Sequence, residues 1–423
     1  MQLNEFIGSK GAVAGIGSRR LTHASSKRQM YFACCIVFAG YKEHSGGADL
    51  SDTSHEVGAK IAYDAMCQLD PALIPGEYSR VMQIFLPWAG FNGRKAGVRE
   101  GYVVHCPPEA LSVTQPFHPG WSHLSEAAQK MMSRNAMQIL DLDLQTPVRF
   151  VMCETPDGAY TAKMTSSKTG GTGQAIRIAD HYNVPVYNLQ HPEHRAKVDG
   201  WIATYDQKIQ SAFGVSPIAL VDEFLANHKG IAKSIEGDLV EMANSGEVDV
   251  IIHGVDCFHS FSSPVARHIA QAFPEALEAD RQTKSGDKKK LGTYSFAKVS
   301  VGDRQVVIVN AYTQLKSGSG DELYVDYESV RKVFRQIKKD FNGYRFAIPR
   351  IGAGAENGCW VTLSNIISCE MERKDLTLVD FPEGFDFKLN PVIDSVRPKS
   401  PQLGMDFCCL LYTSDAADER SSV

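Results

Sequence analysis

The chain has 423 residues, which is enough for two or three domains that each bury a core of their own. Its 43% hydrophobic and 22% charged residues are ordinary for a globular protein, and a net charge of −5 provides no overall attraction to nucleic acid or to an acidic membrane surface. The longest apolar run, Tyr31 to Ala39, is too short to span a bilayer.

In the first half of the chain, short apolar runs alternate with helical stretches, which predicts a parallel sheet with helices on both faces. The predicted strands are Ala12–Ile16, Tyr41–His44, Gln83–Leu86, Gly101–Val104, Val148–Cys153 and Val184–Asn188. The predicted helices are Lys27–Gly40, a helix from about Thr53, and Gln174–His181.

Three glycine-rich loops each follow a predicted strand and open a helix, where backbone N–H groups and the positive helix end favour a phosphate. A two-glycine turn alone is more often a tight connection, but at the strand ends of one parallel sheet the loops can converge on one crevice. Arg19, Arg94 and Arg134 could each pair with a phosphate, and a surface salt bridge is an equally good interpretation of each. The candidate ligand-binding residues are Gly15, Gly17, Ser18, Arg19, Ser45, Gly46, Gly47, Gly170, Gly171, Thr172 and Gly173.

The segment from about Ala12 to Leu189 resembles the SLOG superfamily, which includes the Lonely Guy phosphoribohydrolases and the DNA-processing A-like Rossmann proteins. The resemblance rests on the three glycine loops with Leu86–Arg94, His118-Pro119 and Ser133–Asn135. It implies a nucleotide-like ligand over the carboxyl ends of the strands. Lonely Guy enzymes carry a glutamate shortly after the last glycine pair, where this chain has Gln174–Arg177 without an acid. We therefore expect binding or sensing in this half rather than hydrolysis.

A polar, helical segment from Tyr205 to Glu247 separates this half from a second series of strands and helices. The second series has predicted strands at Val248–His253, Tyr294–Val301, Gln305–Ala311, Tyr344–Ile348 and Asp375–Asp380, and predicted helices at Ala266–Phe273, Ser329–Asp340 and Cys359–Cys369. The predicted organisation is a Rossmann-like nucleotide-binding domain over residues 1–205, a helical linker over 206–230, an α/β/α domain with a mixed sheet over 231–390, and an irregular tail over 391–423.

Two loops of the second domain suit a dinucleotide-like ligand. Gly352, Gly354 and Gly358 allow a loop whose N–H groups wrap a diphosphate, while Ser260–Val265 opens a helix that could hold it from the other side. An acid such as Asp238 can accept a hydrogen bond from an exocyclic amine, which would select adenine.

The segment from about Ile235 to Phe381 resembles the macro domain, in particular the ADP-ribose 1''-phosphate-processing type of phage and bacteria. The matching runs are Gly237-Asp238, His253–Phe258, Phe273–Asp280, Gly286–Ser295, Ile308–Gln314, Val325–Val330 and Pro349–Trp360. The resemblance implies ADP-ribose or a related NAD-derived nucleotide as the ligand, in a bacterial or phage-infected cytoplasm. The residues implied to bind it are Asp238, Ser262, Ser263, Val265, Asn310, Gly352, Ala353, Gly354 and Ala355.

Two departures from the macro pattern affect the expected chemistry. Asp256 stands where the family usually has asparagine, and a carboxylate there could act as a base but would also repel a phosphate. The first phosphate loop reads Ser262-Ser263-Pro264 instead of being glycine-rich, and Pro264 removes a backbone donor. We expect this loop to bind phosphate more weakly by about 1.5–3 kcal/mol, the value of one hydrogen bond to a charged group.

The expected activity is hydrolysis of a substituent on the distal ribose, either a 1''-phosphate or an ADP-ribosyl ester, with Asp256 or His259 positioning or deprotonating water. The alternative is a non-catalytic sensor that binds NAD-derived nucleotides with both domains, in which Asp256 caps the following helix. A second nucleotide-like ligand is expected at the first domain. The sequence is compatible with a homo-oligomer but does not predict the number of subunits. A nucleic-acid or membrane partner is not expected, because the chain shows no basic stripe with interleaved aromatics.

The cysteines and the C-terminal tail add two further expectations. Ten scattered cysteines, with no CxxC pair and no Cys/His cluster, predict reduced thiols and an intracellular setting without structural zinc. We expect neither a metal nor a cofactor. The run CLLYTSDAADE at Cys409–Glu419 resembles the translation of a transposase sequencing adapter. We expect residues 409–423 to be artefactual and the true C-terminus to be missing; a natural polar tail is the alternative.

Overall fold

The computed structural model describes residues 3–95, 97–318 and 320–387 and forms two compact units, with the boundary between His228 and Lys229. Each unit is an α/β fold built on a six-stranded sheet, which confirms the predicted fold class. The tail predicted over 391–423, including the segment from Cys409, lies outside the described residues.

The first unit alternates strands and helices along the chain. Its strands are β1 (Ala12–Gly15), β2 (Lys42–Ser45), β3 (Met82–Phe85), β4 (Tyr102–Val103), β5 (Val151–Cys153) and β6 (Val186–Asn188). Its helices are α1 (Leu3–Phe6), α2 (His23–Phe38), α3 (Ser51–Leu69), α4 (Pro108–Thr114), α5 (Glu126–Leu140), α6 (Thr172–His181), α7 (Pro192–Phe213) and α8 (Pro217–Asn227).

The sheet of the first unit is parallel throughout, in the order β4-β3-β2-β1-β5-β6. The chain runs outward from β1 to β4 and then returns with β5 to the other side of β1. The strand order therefore reverses between β1 and β5, and such a switch point is where open α/β sheets usually hold their ligands.

Both faces of this sheet are covered, as the alternation of side chains along β1 shows. Val13 packs with Phe32 of α2 and Val198 of α7, whereas its neighbour Ala14 packs with Ile139 of α5 and Ile176 of α6. Successive side chains of a strand point to opposite faces, so the two residues belong to different cores.

Helix α2 begins earlier than the sequence pattern predicted, because the Thr22 side chain accepts a hydrogen bond from the Ser25 N–H and caps the helix. The segment predicted as a linker, 206–230, consists of the end of α7 and of α8. Both helices pack against α2 within the first unit, and Tyr31 of α2 donates a hydrogen bond to Asp222 of α8 at 2.5 Å.

The second unit also alternates strands and helices. Its strands are β7 (Lys233–Glu236), β8 (Val250–Asp256), β9 (Tyr294–Val301), β10 (Arg304–Gln314), β11 (Arg345–Ile348) and β12 (Asp375–Asp380). Its helices are α9 (Leu239–Ser245), α10 (Pro264–Ala272), α11 (Pro274–Arg281), α12 (Tyr327–Asp340) and α13 (Trp360–Glu370).

The sheet of the second unit has the order β7-β12-β11-β8-β10-β9, and only β9 runs antiparallel to its neighbour. The carboxyl ends of β11, β8 and β10 therefore lie side by side at one edge. The loops that follow these three strands meet there and form the candidate site.

Strand β7 lies within Tyr205–Glu247, a segment for which the sequence pattern predicted no strand. The reason is its sequence, Lys233-Ser234-Ile235-Glu236, which is short and polar because β7 is an edge strand that pairs only with β12.

No single described helix has the length and apolar character to cross a bilayer, although α7 and α8, bent by 96° at their junction, pass that test as a pair.

Candidate functional site

A cleft lies at the carboxyl edge of the second sheet. It is lined by the end of β8, by the loop from Ser260 to Ser263, by Gln314 and Ser317 after β10, and by Glu356 in the glycine loop after β11. The cleft leaves only about 10 Å³ of free volume, roughly the space of one water molecule. We therefore expect one of these loops to move when a nucleotide binds.

Asp256, the last residue of β8, holds two of these loops together. Its Oδ1 accepts hydrogen bonds from the N–H groups of Phe258 (2.8 Å) and Ser260 (3.3 Å). Its Oδ2 accepts hydrogen bonds from the Ser260 hydroxyl and from both the N–H (3.2 Å) and the hydroxyl (2.5 Å) of Ser317. We call this arrangement the Asp256 strap, because it ties the loop after β8 to the loop after β10.

The hydrogen bonds of the strap also set the charge state of Asp256. Burial alone would raise the pKa of Asp256, but the hydrogen bonds from Ser260 and Ser317 outweigh burial and hold the pKa below its usual value. A general base that works at neutral pH needs a pKa nearer to 7. Asp256 therefore suits the role of a structural acceptor better than that of a base.

The glycine loop after β11 presents free N–H groups to solvent. Gly352 has a φ of +75°, and a Cβ on it would lie 2.6 Å from Val325, so the tight turn at the start of the loop requires glycine. The loop closes with a hydrogen bond from the Gly358 N–H to the Gly352 carbonyl at 2.9 Å. Within the described residues, the N–H groups of Gly354, Ala355 and Glu356 donate to no protein acceptor. Consecutive free N–H groups of this kind form an anion-binding concavity.

Asp238, predicted to select adenine, is not among the residues that line the cleft, and it already has partners. It caps α9 by accepting from the Val240 N–H at 2.9 Å, and both its oxygens lie within 3.0 Å of His268 Nε2. The His268 ring packs edge-on against Phe381, Phe385 and Phe387, with centroids 5.6–6.1 Å apart. A base amine would have to share the Asp238 carboxylate with His268.

His259, the second predicted catalytic residue, does not line the cleft. Its Nε2 lies 3.0 Å from the Thr283 hydroxyl and 3.8 Å from Asp280. Burial lowers the pKa of His259 from its ordinary value, which favours the neutral ring. His259 thus lies beside the buried ion pair that Asp280 forms with Lys290 (3.2 Å).

The other predicted residues of this half divide between the cleft and the core. Ser262 and Ser263 line the cleft, and the Ser263 hydroxyl caps α10 by accepting from the Ala266 N–H at 3.2 Å. Val265 packs against the apolar core. Asn310 is fully buried and bonded to His253, Ala276 and Ser295, so it supports the sheet from beneath and does not reach the cleft.

Three polar residues that line the cleft were not assigned a role from the sequence: Ser260, Ser317 and Glu356. Glu356 belongs to the glycine-loop run, so its position in that run was an available signal. Ser317 follows β10, 61 residues after Asp256, and no local pattern connects the two residues. Among residues 3–95, 97–318 and 320–387 there is no group of three or more His, Cys, Asp or Glu arranged to hold a metal ion.

In the second glycine loop of the first unit, Ser45–Ala48, backbone groups form hydrogen bonds with side chains of the same unit. The N–H groups of Gly46 (3.2 Å) and Ala48 (3.0 Å) donate to the Asp52 carboxylate, so both already have an acceptor. Arg134 and Arg94 donate to the carbonyls of Gly46 (2.5 Å) and Gly47 (2.8 Å). Arg94 is also paired with Glu56 at 2.6 Å, so these two arginines hold the loop in place.

The other two loops of this half are more open. In the first loop, the Ser18 N–H donates to the Glu154 carbonyl at 2.9 Å, which joins the loop after β1 to the end of β5 at the switch point. A Cβ on Gly17 would lie 2.6 Å from the Ser51 hydroxyl, whereas Arg19 is exposed. In the third loop, Gly170 and Gly171 are exposed at the start of α6. Two of the three predicted loops are therefore accessible to a ligand.

Comparisons with known proteins give one clear relative. No family model matches the chain. An uncharacterised 17.5 kDa protein from the tk-vs intergenic region of Enterobacteria phage T4 is 32% identical over 157 residues, which cover 36% of this chain and 97% of that protein.

The solved structures that resemble this chain are more distant. A protein of unknown function from Bacteroides thetaiotaomicron is 22% identical (TM-score 0.30; 35% of this chain, 96% of that chain). The macrodomain of Thermus aquaticus DarG is 18% identical (TM-score 0.28; 36% and 97%). Thermosipho africanus DarTG in complex with ADP-ribose is 13% identical (TM-score 0.30; 43% and 52%). Likenesses of this size decide nothing about the ligand of this chain.

Proposed function

This chain belongs to the same family as the 17.5 kDa protein of phage T4, and from that premise we propose that its second unit binds ADP-ribose or a related NAD-derived nucleotide. The observation that supports this most is the run of free N–H groups at Gly354, Ala355 and Glu356 beside the cleft. A diphosphate is the ligand group that such a loop accommodates. The resemblance of Pro349–Trp360 and Ile308–Gln314 to the macro pattern supports the same ligand.

Isothermal titration calorimetry tests the binding proposal. Full-length protein is titrated with ADP-ribose, AMP and ribose 5-phosphate, and we expect ADP-ribose to bind at least tenfold more tightly than either fragment, because only it carries the bridging diphosphate. Equal affinities would place recognition outside the glycine loop. The absence of any heat at millimolar ADP-ribose would overturn the proposal.

The same unit is proposed to hydrolyse a substituent on the distal ribose, namely a 1''-phosphate or an ADP-ribosyl ester. The cleft contains two carboxylates, and the Asp256 strap engages one of them fully. The other, Glu356, lines the cleft at the free N–H run, and it is the group best placed to take a proton from water. His259 remains a candidate only if the loop after β8 rearranges.

Phosphate release from ADP-ribose 1''-phosphate separates these roles. We expect Glu356→Gln to lower kcat by 10²-fold or more, which is the usual contribution of a general base, and to leave the affinity for ADP-ribose nearly unchanged. Asp256→Asn and His259→Ala serve as comparisons. If wild type cleaves neither the phosphate nor an ADP-ribosyl ester, the alternative of a non-catalytic sensor is favoured.

That sensor alternative also involves the first unit, for which we propose a second nucleotide-like ligand. The switch point between β1 and β5 supports it, with the accessible loops at Gly17 and Gly170. The setting that goes with both proposals is the cytoplasm of a bacterium or of a phage-infected host cell.

A further inference from the structure

A basic groove lies on the second unit at the end opposite to the cleft. Helix α12 precedes β11, so the carboxyl end of α12 lies at the amino edge of the parallel strands, whereas the cleft lies at their carboxyl edge. The groove is open and has about 530 Å³ of free volume. It is lined by Arg335, Lys338, Lys339, Asn342, Glu370 and Lys374.

The cations of this groove exceed its anions. Glu370 is the one carboxylate among the lining residues, and it is already paired with Arg335 (2.9 Å) and Arg331 (3.3 Å). Lys338 and Lys339 have no carboxylate partner within the described part of the chain, and Lys374 donates only to the amide oxygen of Asn342. Three ammonium groups are therefore available to an anionic partner.

The acidic groups near the groove do not cancel this charge. Asp340 accepts hydrogen bonds from Tyr294 (2.5 Å) and Gln336 (2.8 Å), and Asp375 pairs with Lys233 at 3.3 Å. Glu328 lies 3.8 Å from Arg331, and Glu372 is exposed beside the exposed Arg373. The surface between the ends of α12 and α13 is thus positive on a chain whose overall net charge is −5.

An exposed aromatic ring lies next to these lysines along the chain. Tyr344 follows Asn342 by two residues and has 43% of its surface exposed. Its ring packs edge-on against Phe341 at 6.1 Å and 85°. A positive groove combined with an aromatic face is the combination with which proteins bind single-stranded nucleic acid, since phosphates contact the cations and bases stack on the ring.

We infer that this groove binds the backbone of single-stranded nucleic acid. An open groove suits a polymer, whereas a small ligand is usually enclosed on most of its surface. Flexible lysines contact phosphates as point charges rather than through the two-pronged geometry of arginine, so the binding is independent of base sequence. The sequence shows no basic stripe, because the three lysines come together only when α12 and the end of α13 pack side by side.

Fluorescence anisotropy with a labelled deoxythymidine 12-mer tests this inference on the full-length protein. We expect Lys338→Gln/Lys339→Gln/Lys374→Gln to weaken binding at least tenfold and to flatten the dependence of log K on log [salt]. Neutralising about three phosphates of a single strand corresponds to a slope of about −2. The matched control removes three exposed lysines elsewhere in the same unit, Lys284→Gln/Lys288→Gln/Lys289→Gln, and keeps both the affinity and the slope.

Tyr344 provides the second measurement. We expect Tyr344→Ala to weaken binding severalfold without changing the salt slope, and Tyr344→Phe to restore it, because the ring stacks and carries no charge. Equal binding by the lysine variant and wild type would overturn the inference. So would binding of inorganic polyphosphate or of anionic lipid vesicles as tight as that of the oligonucleotide. The ADP-ribose titration reports on the cleft alone, so failure of either proposal leaves the other standing.

Discussion

Asp256 collects hydrogen bonds from two loops that belong to different parts of the chain, and this decides what its carboxylate can do. Asparagine, the residue that the macro pattern has at this place, could not accept as many donors, because its amide nitrogen is itself a donor. Aspartate can therefore accept all the hydrogen bonds of the strap, but it places a negative charge beside the expected diphosphate. The departure seen in the sequence has a structural reason in the hydroxyls of Ser260 and Ser317.

The strap leads to a prediction about Ser317. Ser317→Ala removes one hydrogen bond to the Asp256 carboxylate, a bond of about 1.5–3 kcal/mol. Opening the cleft then costs less, so we expect ADP-ribose to bind about tenfold more tightly, since about 1.4 kcal/mol corresponds to a factor of ten. Calorimetry measures the change.

Ser300→Ala is the matched control for Ser317→Ala, because Ser300 is an exposed serine of β9 that neither lines the cleft nor bonds to Asp256. We expect its affinity to stay at the wild-type value. Weaker binding by Ser317→Ala would mean that the strap shapes the site rather than closing it.

At the scale of elements, the loop after β11 depends on its glycines to different degrees. Gly352→Ala places a Cβ 2.6 Å from Val325 at a φ of +75°, whereas Gly354→Ala meets only the end of the Glu356 side chain at 3.4 Å. We expect Gly352→Ala to lower the free energy of unfolding by about 1–3 kcal/mol and to weaken nucleotide binding. Gly354→Ala should change stability much less.

Urea denaturation of the two glycine variants measures this difference. Equal losses of stability would show that the loop tolerates a side chain at Gly352 as well as at Gly354. Glycine would then not be required for the turn at Gly352.

Some elements of the fold were predictable from the sequence and others were not. The alternation of buried strands and helices predicted both sheets, because a parallel strand buried on both faces reads as a continuous apolar run. The glycine run Gly352–Gly358 was predicted as a loop and is one. Strand β7 and the Asp256–Ser317 contact were not predictable, since one is polar and the other joins residues far apart in the chain. The sequence of Ser45–Ala48 predicts a phosphate-binding loop, but only the fold shows that the Gly46 and Ala48 N–H groups donate to Asp52.

At the scale of the whole molecule, each unit buries a histidine in its sheet. Burial lowers the pKa of His44 in β2 and of His253 in β8 to about 4, while an unfolded histidine has a pKa near 6.5. Between these values the unfolded chain binds a proton that the folded chain does not bind. Stability therefore falls as the pH drops from about 6.5 towards 4, by at most about 1.4 kcal/mol per pH unit for each histidine.

Urea denaturation at pH 7, 6 and 5 measures this loss. We expect His253→Gln, which keeps a side chain able to bond to Asn310, to reduce the pH dependence of the second unit. Replacement of the exposed His123 by Gln should leave the pH dependence unaltered. A stability that does not change between pH 7 and pH 5 would contradict the assignment of neutral, buried histidines.

The closed cleft has a consequence for the kinetics of binding. If ligand can enter only while the Asp256 strap is open, the apparent dissociation constant equals the intrinsic one divided by the fraction of open molecules. The observed association rate then stops rising with nucleotide concentration and levels off at the rate at which the strap opens. In stopped-flow mixing, that plateau would report directly how often two serine hydroxyls release one carboxylate.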